Sequence, residues 1–407
     1  MVVIPCLKVP QRHAQLYKKY LQSQGVLELR YCTQKHSDGS VTFPVVASVM
    51  PRLDLVALKE YVGQEDSFCE IVDIQAPPLS KKGKVKSFNE RLIETAKSLL
   101  VSKGESWNVD LERDIPSRWQ CHGDMVLFGD SCFSNIIWRQ IGPEFWTLVA
   151  QILGVKRLAQ IKKISQDGYR TPIVTMLLGD SSYVTHVDNH IRYEFDVTKC
   201  MFSSGNITEK IRIASLDCSG ETVVDLYAGI GYFTLPYLVH ANASHVHACE
   251  WNPDAIKALR RNLQINGVTD RCTVHQGDNR QLPLSDLADR VSLGLIPSSE
   301  EGWPVACRLL KRRTGGILHI HQNITTPLHH ETPEHSSAID VEQSPLKIQR
   351  DMEVRTAWAR ETGSRICTLL LDITGDKWRT DIRHIEHVKT YAPHISHVVL
   401  DLECRPL

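Results

Sequence analysis

The stretch VVDLYAGIGYFTLP, residues 223–236, decides the fold. An apolar run leads into Asp225, and Gly229 and Gly231 follow shortly after it. Glycine permits the backbone angles and the close approach that a tight turn between a buried strand and a helix requires. We interpret the stretch as a strand, a glycine-rich loop and the start of a helix, with Asp225, Gly229 and Gly231 as candidate ligand-binding residues. An ordinary turn has the same glycine spacing and remains the alternative.

The chain around this stretch, from about residue 199 onward, alternates strand patterns with helix patterns. Amphipathic stretches such as PDAIKALRRNLQING lie between the apolar runs TVVDLY, HVHACE, CTVHQGD, RVSLGLIP and GGILHIH. This alternation predicts an α/β domain of Rossmann type, a doubly wound parallel sheet with helices on both faces. We place this domain at 199–407, with the polar, proline-bearing piece 323–350 as a mobile insertion.

Two smaller units are predicted before this domain, an α/β unit at 1–108 and an α+β unit at 109–198. The second carries a basic cluster, which is either a solvated surface or a set of phosphate contacts to RNA. Its members are Lys156, Arg157, Lys162, Lys163 and Arg170. Lys311, Arg312 and Arg313 form a second candidate RNA surface. We therefore assign 109–198 a role in positioning RNA and leave the role of 1–108 open.

The composition excludes a general nucleic-acid coating protein. Lysine plus arginine equals aspartate plus glutamate at 47 each, so any nucleic acid must be bound by local patches. The twelve cysteines include no CxxC pair, so we predict no metal site and expect reduced thiols. The start, MVVIPCLKVPQRH, lacks the apolar core of a secretory signal, and no apolar run is long enough to span a membrane. We expect a cytoplasmic protein.

Polar residues follow the next two predicted strands. Glu250 ends HVHACE, where a carboxylate can accept hydrogen bonds from ribose hydroxyls, and Asp278 and Asn279 follow the third strand at a position suited to an adenine edge. Thr234 stands where a dinucleotide fingerprint requires its third glycine. The set therefore favours S-adenosylmethionine. The alternatives are that Glu250 caps the helix after it, that Asp278 is a turn residue and that Trp251 only packs.

The segment DVTKCMFSSGNITEKIR, residues 196–212, offers a further pair. If a helix begins after Asn206, the hydroxyl of Ser203 and the ammonium of Lys210 can converge on one anionic group, such as the methionyl carboxylate of the donor. A solvated lysine fits the spacing equally well.

Seven motifs in order resemble the tRNA wybutosine-synthesizing protein 2 family, a sister of the tRNA guanine-37 N1-methyltransferases. They are CMFSSGNITEK, VDLYAGIGYFTLP, ACEWNP, GDNR, LGLIPSSEEGW, GGILHIHQN and VKTYAPHISHVVLDLEC, within about 110–407. The resemblance implies a class I methyltransferase-like fold, S-adenosylmethionine as donor, and transfer of its 3-amino-3-carboxypropyl arm to the tricyclic 4-demethylwyosine at position 37 of phenylalanine tRNA. It also implies that the donor contacts are Ser203, Lys210, Glu250, Asp278 and Asn279.

Two departures from the methyltransferase sister accompany the resemblance. Gly205 stands where that family has a catalytic arginine, and Leu295, Ile296 and Pro297 stand where it has an asparagine followed by leucine and proline. We interpret Leu295 and Ile296 as an apolar lip. Ser298 and Glu301 have the spacing of a capping box for the next helix.

Other functions stay open on the sequence alone. One is N1-methylation of guanine 37, and another is a non-catalytic RNA-binding module that retains the fold. No general base is identified. We assume a monomer that meets other enzymes of the wybutosine pathway only through their shared substrate.

Overall fold

The computed structural model of this chain describes residues 3–63, 68–75, 77–80, 86–165, 167–202, 204–327, 345–392 and 394–407. The chain divides into two compact units, Met1–Ser102 and Lys103–Leu407. The segment predicted at 109–198 lies in the second unit, together with the domain predicted at 199–407.

The first unit is a four-stranded sheet with helices. Its sheet order is β2-β3-β1-β4, and β1 runs antiparallel to both of its neighbours. Asp54 caps the second helix by accepting hydrogen bonds from the amides of Val56 and Ala57, and Gly63 ends that helix in a left-handed conformation. The elements are β1 (Val3–Pro10), α1 (Ala14–Ser23), β2 (Gln34–Lys35), β3 (Ser40–Pro44), α2 (Leu55–Val62), β4 (Glu70–Gln75) and α3 (Phe88–Ser102).

The second unit begins with a four-stranded sheet of order β5-β6-β7-β8 and a separate hairpin of β9 with β10. The loop between β7 and β8 contains Tyr169 and Arg170, which contribute to the cavity described below. These elements are α4 (Val109–Arg113), β5 (Gln120–His122), β6 (Met125–Phe128), α5 (Ile137–Gln140), α6 (Pro143–Leu153), β7 (Arg157–Ile164), β8 (Pro172–Leu178), β9 (Tyr183–Asp188) and β10 (Ile191–Asp196).

The rest of the second unit is built on a seven-stranded sheet of order β13-β12-β11-β14-β15-β17-β16. The first five strands of that order are parallel, and β17 pairs antiparallel with both β15 and β16. The elements are α7 (Ile207–Ala214), β11 (Thr222–Asp225), α8 (Thr234–Val239), β12 (His245–Glu250), α9 (Pro253–Ile265), β13 (Cys272–Gln276), β14 (Arg290–Leu293), α10 (Trp303–Leu309), β15 (Gly316–Thr325), α11 (Pro345–Thr374), β16 (Trp378–Ala392) and β17 (Ile395–Pro406).

The two faces of this sheet are covered by different apolar clusters, and neighbouring residues of the central strand β11 belong to different ones. Val223 packs into one cluster with residues of α8 and α9, and Val224 into another with residues of α10 and α11. Both side chains are fully buried because successive residues of a strand face opposite sides and helices cover each side. The predicted doubly wound α/β fold is confirmed.

The insertion predicted at 323–350 has different limits in the structure. Residues 323–325 continue β15, whose pairing with β17 reaches Thr325 opposite Ile395, and residues 345–350 belong to α11. The expected insertion is therefore too long at both ends, because its first residues find ladder partners on β17. The part at 328–344 lies outside the described residues.

All twelve cysteines are free thiols. Within the described ranges, no helix has both the length and the apolar character needed to cross a membrane, and no group of three or more histidine, cysteine, aspartate and glutamate side chains is arranged to hold a metal ion.

Candidate active site

A cavity of about 670 Å³ opens at the carboxyl ends of β11, β12, β13 and β14. This is the edge at which open parallel sheets bind ligands, because the loops that follow the strands converge there. Four of the eight residues proposed from the sequence line the cavity, namely Gly229, Glu250, Asp278 and Asn279.

The glycine loop after β11 forms the floor of the cavity. Gly229 has a φ of 55°, and a Cβ atom there would collide with the Tyr232 ring. Its amide donates a hydrogen bond of 2.8 Å to Oε2 of Glu250. Gly231, with a φ of 103°, does not line the cavity, and a Cβ there would lie 3.0–3.1 Å from Leu235 and Leu259. Gly231 therefore allows close helix packing beneath the loop.

Asp225 organises this loop from within the protein. It is fully buried, does not line the cavity, and accepts hydrogen bonds from Oγ1 of Thr234 at 2.7 Å and from the Tyr227 amide at 3.3 Å. Burial raises the pKa of Asp225 to about 6. Thr234 thus has a structural task at the place where a dinucleotide loop has glycine.

Glu250, at the end of β12, binds the loop from the cavity side. Its Oε1 accepts hydrogen bonds from the amides of Trp251 at 2.9 Å and Asn252 at 2.8 Å, and its Oε2 accepts from Gly229. A carboxylate has about four acceptor positions, so one remains on Oε2. Burial raises the pKa of Glu250. The alternative that Glu250 caps α9 is wrong, because the side chain of Asn252 accepts from the amides of Asp254 and Ala255.

Asp278 and Asn279 follow β13 and combine a turn with a place in the lining. Asp278 accepts a hydrogen bond of 2.9 Å from the Arg280 amide and forms an ion pair of 2.7 Å with the Arg280 guanidinium, which lowers the pKa of Asp278. Asn279 donates from Nδ2 to the carbonyl of Leu226 at 2.7 Å. The turn and the ligand interpretations of Asp278 are therefore compatible.

Ser203 and Lys210 are the pair proposed to anchor the methionyl carboxylate of the donor. Ser203 lies outside the described residues. Lys210 is 2% exposed, does not line the cavity, and its ammonium forms a 2.9 Å ion pair with Asp188 of β9. The same ammonium lies 4.4 Å from the ring centroid of Phe202 and 5.8 Å from that of Tyr232, which does line the cavity. Lys210 therefore sits behind the cavity wall.

Two aromatic residues complete one side of the cavity, Trp251, which the sequence motifs include, and Tyr169, which they do not. Tyr169 and Trp251 are each 46% exposed, line the cavity, and meet edge to face with 6.1 Å between ring centroids. Arg170 beside them lines the cavity too. The sequence around Tyr169 gives no local sign of this role, because the tertiary structure brings the loop between β7 and β8 to the cavity.

The apolar lip is where the sequence places it. Leu295 and Ile296 line the cavity after β14. The predicted capping box beside them is wrong. Ser298 accepts a hydrogen bond from the Glu300 amide at 3.3 Å, and the Glu301 carboxylate pairs with Arg280 at 2.9 Å instead of turning back to Ser298.

In each of the two predicted basic surfaces, one residue forms an ion pair within the protein. Arg157 forms an ion pair with Asp124 and donates to the carbonyls of Ser181 and Tyr183, which ties β7 to β9. Lys311 forms a 2.7 Å ion pair with Asp289. Lys162 and Lys163 are exposed on β7 and remain available for RNA.

Comparisons with known proteins agree along the whole chain. Residues 184–343 match the TRM5/TYW2 methyltransferase domain, and residues 6–83 and 99–182 match two TYW2 N-terminal domain families. The tRNA wybutosine-synthesizing protein 2 homolog of Danio rerio is 77% identical over 410 residues, covering all of both chains. The chain belongs to the tRNA wybutosine-synthesizing protein 2 family. The Homo sapiens member is 48% identical over 414 residues, 96% of this chain and 92% of the human one.

Solved structures of this family and of its sister share the fold. P. horikoshii TYW2 in complex with MeSAdo is 26% identical with a TM-score of 0.55, covering 77% of this chain and 98% of that one. The complex of aTrm5 with tRNALeu is 20% identical with a TM-score of 0.53 over 98% of this chain and 99% of that one. The second likeness concerns the fold alone. The class I methyltransferase-like fold expected from the motifs is confirmed.

Proposed function

We propose that this chain transfers the 3-amino-3-carboxypropyl group of S-adenosylmethionine to the tricyclic 4-demethylwyosine at position 37 of phenylalanine tRNA, a step of wybutosine biosynthesis. Membership of the tRNA wybutosine-synthesizing protein 2 family, at 77% identity over the whole chain, carries the proposal. Within this family the chain is an S-adenosylmethionine-dependent transferase that modifies tRNA.

The cavity fits the donor. The Glu250 carboxylate retains one acceptor position for a ribose hydroxyl, and Gly229 leaves room for close approach because it has no side chain. Asp278 and Asn279 line the cavity and are proposed to meet the adenine edge, and the half-exposed Trp251 offers an aromatic surface. P. horikoshii TYW2, which shares this fold, is solved with MeSAdo, a molecule built from the same nucleoside.

The donor supplies its own leaving group, since a cationic sulfur needs no acid to depart. A carbon–carbon bond forms between a ring carbon of the base and the γ-carbon of the methionyl arm, while the carbon–sulfur bond breaks. The electron pair of that bond stays on sulfur, 5′-methylthioadenosine leaves, and the ring carbon loses one proton. The residues of the chain have to orient the two reactants, because displacement requires the nucleophile about 3 Å away and in line.

Leu295 and Ile296 give the cavity an apolar wall without hydrogen-bonding side chains. Their side chains offer no hydrogen bond to a base edge, and they give the extruded base an apolar surface beside the donor. We propose that this lip accommodates a tricyclic base and does not assist attack by a guanine nitrogen.

Ser203 and Lys210 are proposed to hold the methionyl carboxylate. An ammonium group has three N–H donors, and the ion pair with Asp188 leaves Lys210 able to donate to a second anion. The pKa of Lys210 is lowered, because the effect of burial exceeds the opposing effect of the Asp188 carboxylate. Contact with the donor would require the carboxylate to reach past Tyr232.

The reaction is tested with donor labelled either in the methyl group or in the carboxypropyl arm, and with phenylalanine tRNA that carries the tricyclic precursor. Label from the arm should enter the tRNA in equal amount to the 5′-methylthioadenosine formed, whereas methyl label should stay in the small-molecule fraction. Methyl label in the tRNA would show methylation instead. A protein that binds neither donor nor tRNA would overturn both enzyme assignments.

The role of Lys210 is tested by comparing two ligands that differ at the carboxylate. Lys210→Met should weaken binding of S-adenosylmethionine about tenfold or more and leave binding of 5′-methylthioadenosine, which has no carboxylate, within about twofold. The double variant Lys210→Met with Asp188→Asn removes both buried charges and controls for an uncompensated Asp188. Equal loss for both ligands would identify Lys210 as a packing residue.

Three finer points belong to the same proposal. The partner is the anticodon loop of phenylalanine tRNA, with other enzymes of the pathway met only through that substrate. The chain acts as a monomer. Its location is the cytoplasm, in keeping with twelve free thiols.

A further inference from the structure

A row of polar residues crosses three strands beside the lip of the cavity. Asn323 of β15 is directly opposite His397 of β17, and His397 is directly opposite Lys389 of β16. Directly opposed residues place their side chains on the same face of a sheet. The backbone N–H of Asn323 donates a 2.8 Å hydrogen bond to the carbonyl of Pro297, the residue after Ile296 of the lip, so the row begins next to the lip.

Three polar atoms around this row are buried and have no hydrogen-bond partner among the described residues. They are Oδ1 of Asn323, Nδ1 of His397 and Oδ1 of Asn206. His397 is 1% exposed, and Asn206 lines the cavity. Buried polar groups in folded proteins are nearly always paired, so unpaired ones next to a cavity are candidates to pair with a bound ligand.

Lys389 supplies a positive charge to the same place. It is half-buried, and no hydrogen bond or ion pair joins its ammonium to any described residue. A Cβ atom on Gly205 would touch that ammonium and would lie 3.2 Å from Cδ and 3.4 Å from Cε of Lys389. Burial lowers the pKa of Lys389, as expected for a cation without a counter-charge. Gly205 thus leaves room for the ammonium next to Asn206.

We propose that Lys389, together with Asn206 and His397, binds the oxygen-bearing edge of the target base. This inference rests on the proposed function and deepens it. The lip offers no side-chain hydrogen bond, and this row is adjacent to the lip. Asn206, whose neighbour Gly205 lies against the Lys389 ammonium, lines the cavity, so the row offers polar groups beside a base that rests on the lip. Lys389 donates to a ring carbonyl, and the amide and imidazole groups pair with neighbouring ring positions.

The composition of the row favours a base edge over a phosphate or a carboxylate. A phosphate or carboxylate site needs donors alone, whereas Asn206 brings an amide that both donates and accepts. Nε2 of His397 pairs with Nδ1 of His321 at 3.1 Å, so Nδ1 of His397 is the ring nitrogen left to meet a base edge. Mixed donors and acceptors are what proteins use to read the edge of an extruded base. A backbone phosphate would also stay nearer to solvent than the buried Nδ1 of His397.

The test measures binding without turnover. Two anticodon stem-loops are compared in the presence of S-adenosylhomocysteine, one with the tricyclic base at position 37 and one abasic there. Lys389→Met should weaken binding of the base-bearing RNA about tenfold or more, and binding of the abasic RNA should stay within about twofold. Lys377→Met, at an exposed lysine just before the same strand, is the matched control and should change neither affinity.

Gly205→Ala gives a second route to the same result. The added methyl group would displace the ammonium of Lys389, so this variant should show the same selective loss, and combining it with Lys389→Met should add little. Donor affinity without RNA should be unchanged in both variants, which also verifies that they fold.

Three results would overturn the inference: equal loss for both RNAs, which would mean a phosphate contact; loss of donor affinity alone, which would mean the donor carboxylate; or no loss at all. Because binding is measured separately from transfer, failure of the labelled-donor experiment would remain distinct from failure of the base contact.

Discussion

Three carboxylates at consecutive strand ends differ by their surroundings. Asp225 is enclosed and receives a hydroxyl and an amide, Glu250 receives three backbone amides, and Asp278 faces a guanidinium. The pKa is accordingly raised to about 6 for Asp225, raised for Glu250 and lowered for Asp278. Burial without a cation penalises the charged form, and a cation favours it. Of the three, only Glu250 and Asp278 line the cavity, so only these two carboxylates are placed to meet the donor.

Asp225→Asn should stabilise the protein at pH 7 but hardly at pH 4. Raising the folded pKa of an acid lowers stability as the pH passes the unfolded value of 3.8, and the loss is complete above about 6. The difference corresponds to about 3 kcal/mol, an upper limit because the amide replaces one acceptor with a donor toward Thr234. Thermal melts of both proteins at the two pH values measure it. The exposed Asp270→Asn is the control, and an equal shift at both pH values for Asp225→Asn would contradict the expectation.

Among the elements, the loop between β11 and α8 connects fold to function. Gly229 and Gly231 both have positive φ, yet only Gly229 lines the cavity, while Gly231 lies against Leu235 and Leu259. One glycine thus serves the ligand and the other serves the packing of the helices beneath. The antiparallel pair β16 and β17 extends the same sheet and brings the Lys389 ammonium against Gly205, next to Asn206 of the cavity lining.

Gly229→Ala should lower donor affinity about tenfold or more, because a methyl group would push the Tyr232 ring and move the amide that binds Glu250. Gly220→Ala is the matched control, since Gly220 also has a positive φ, 79°, but open space around its Cβ position. Both variants should lose about 1 kcal/mol of stability from backbone strain, and only Gly229→Ala should lose affinity in titration calorimetry. Equal affinities for the two variants would show that the loop tolerates the methyl group.

The whole molecule has a formal net charge of zero, so RNA has to be bound by local basic surfaces and not by the overall charge. Arg157 and Lys311 are held by internal ion pairs, so the sequence clusters overstate the charge available to RNA. Lys162 and Lys163 on β7 are exposed, and the loop after β7 carries Arg170 into the lining of the cavity. A phosphate path along β7 would therefore lead to the place where the base enters.

Reversing the charge of Lys162 and Lys163 to glutamate should weaken tRNA binding about tenfold at low salt. The slope of log affinity against log salt should decrease in magnitude by about two, one for each lost phosphate contact. Filter binding over a salt series measures both quantities. Lys377→Glu changes the total charge by as much as either single reversal, Lys162→Glu or Lys163→Glu, and is the control for each of them. An unchanged slope would remove β7 from the RNA surface.

Sequence reasoning determined the sheet, the glycine loop and half of the candidate site. Apolar periodicity is local, and the strand ends of a parallel sheet converge, so the residue pattern alone assigns Gly229, Glu250, Asp278 and Asn279 to one place. The lip at Leu295 and Ile296 follows from the same logic.

Tertiary structure decided which of the remaining polar groups reach the cavity. Asp225 and Gly231 belong to the glycine-loop motif but do not line the cavity. Lys210 forms an ion pair with Asp188 of the β9–β10 hairpin. The ammonium of Lys389, from β16, lies against Gly205. A side chain's partners depend on which distant segments pack against it, and no local pattern records that. The sequence by itself therefore determined the scaffold and its nucleoside end, whereas the packing of α7, β9 and β16 decided which cations are paired and which remain free to bind.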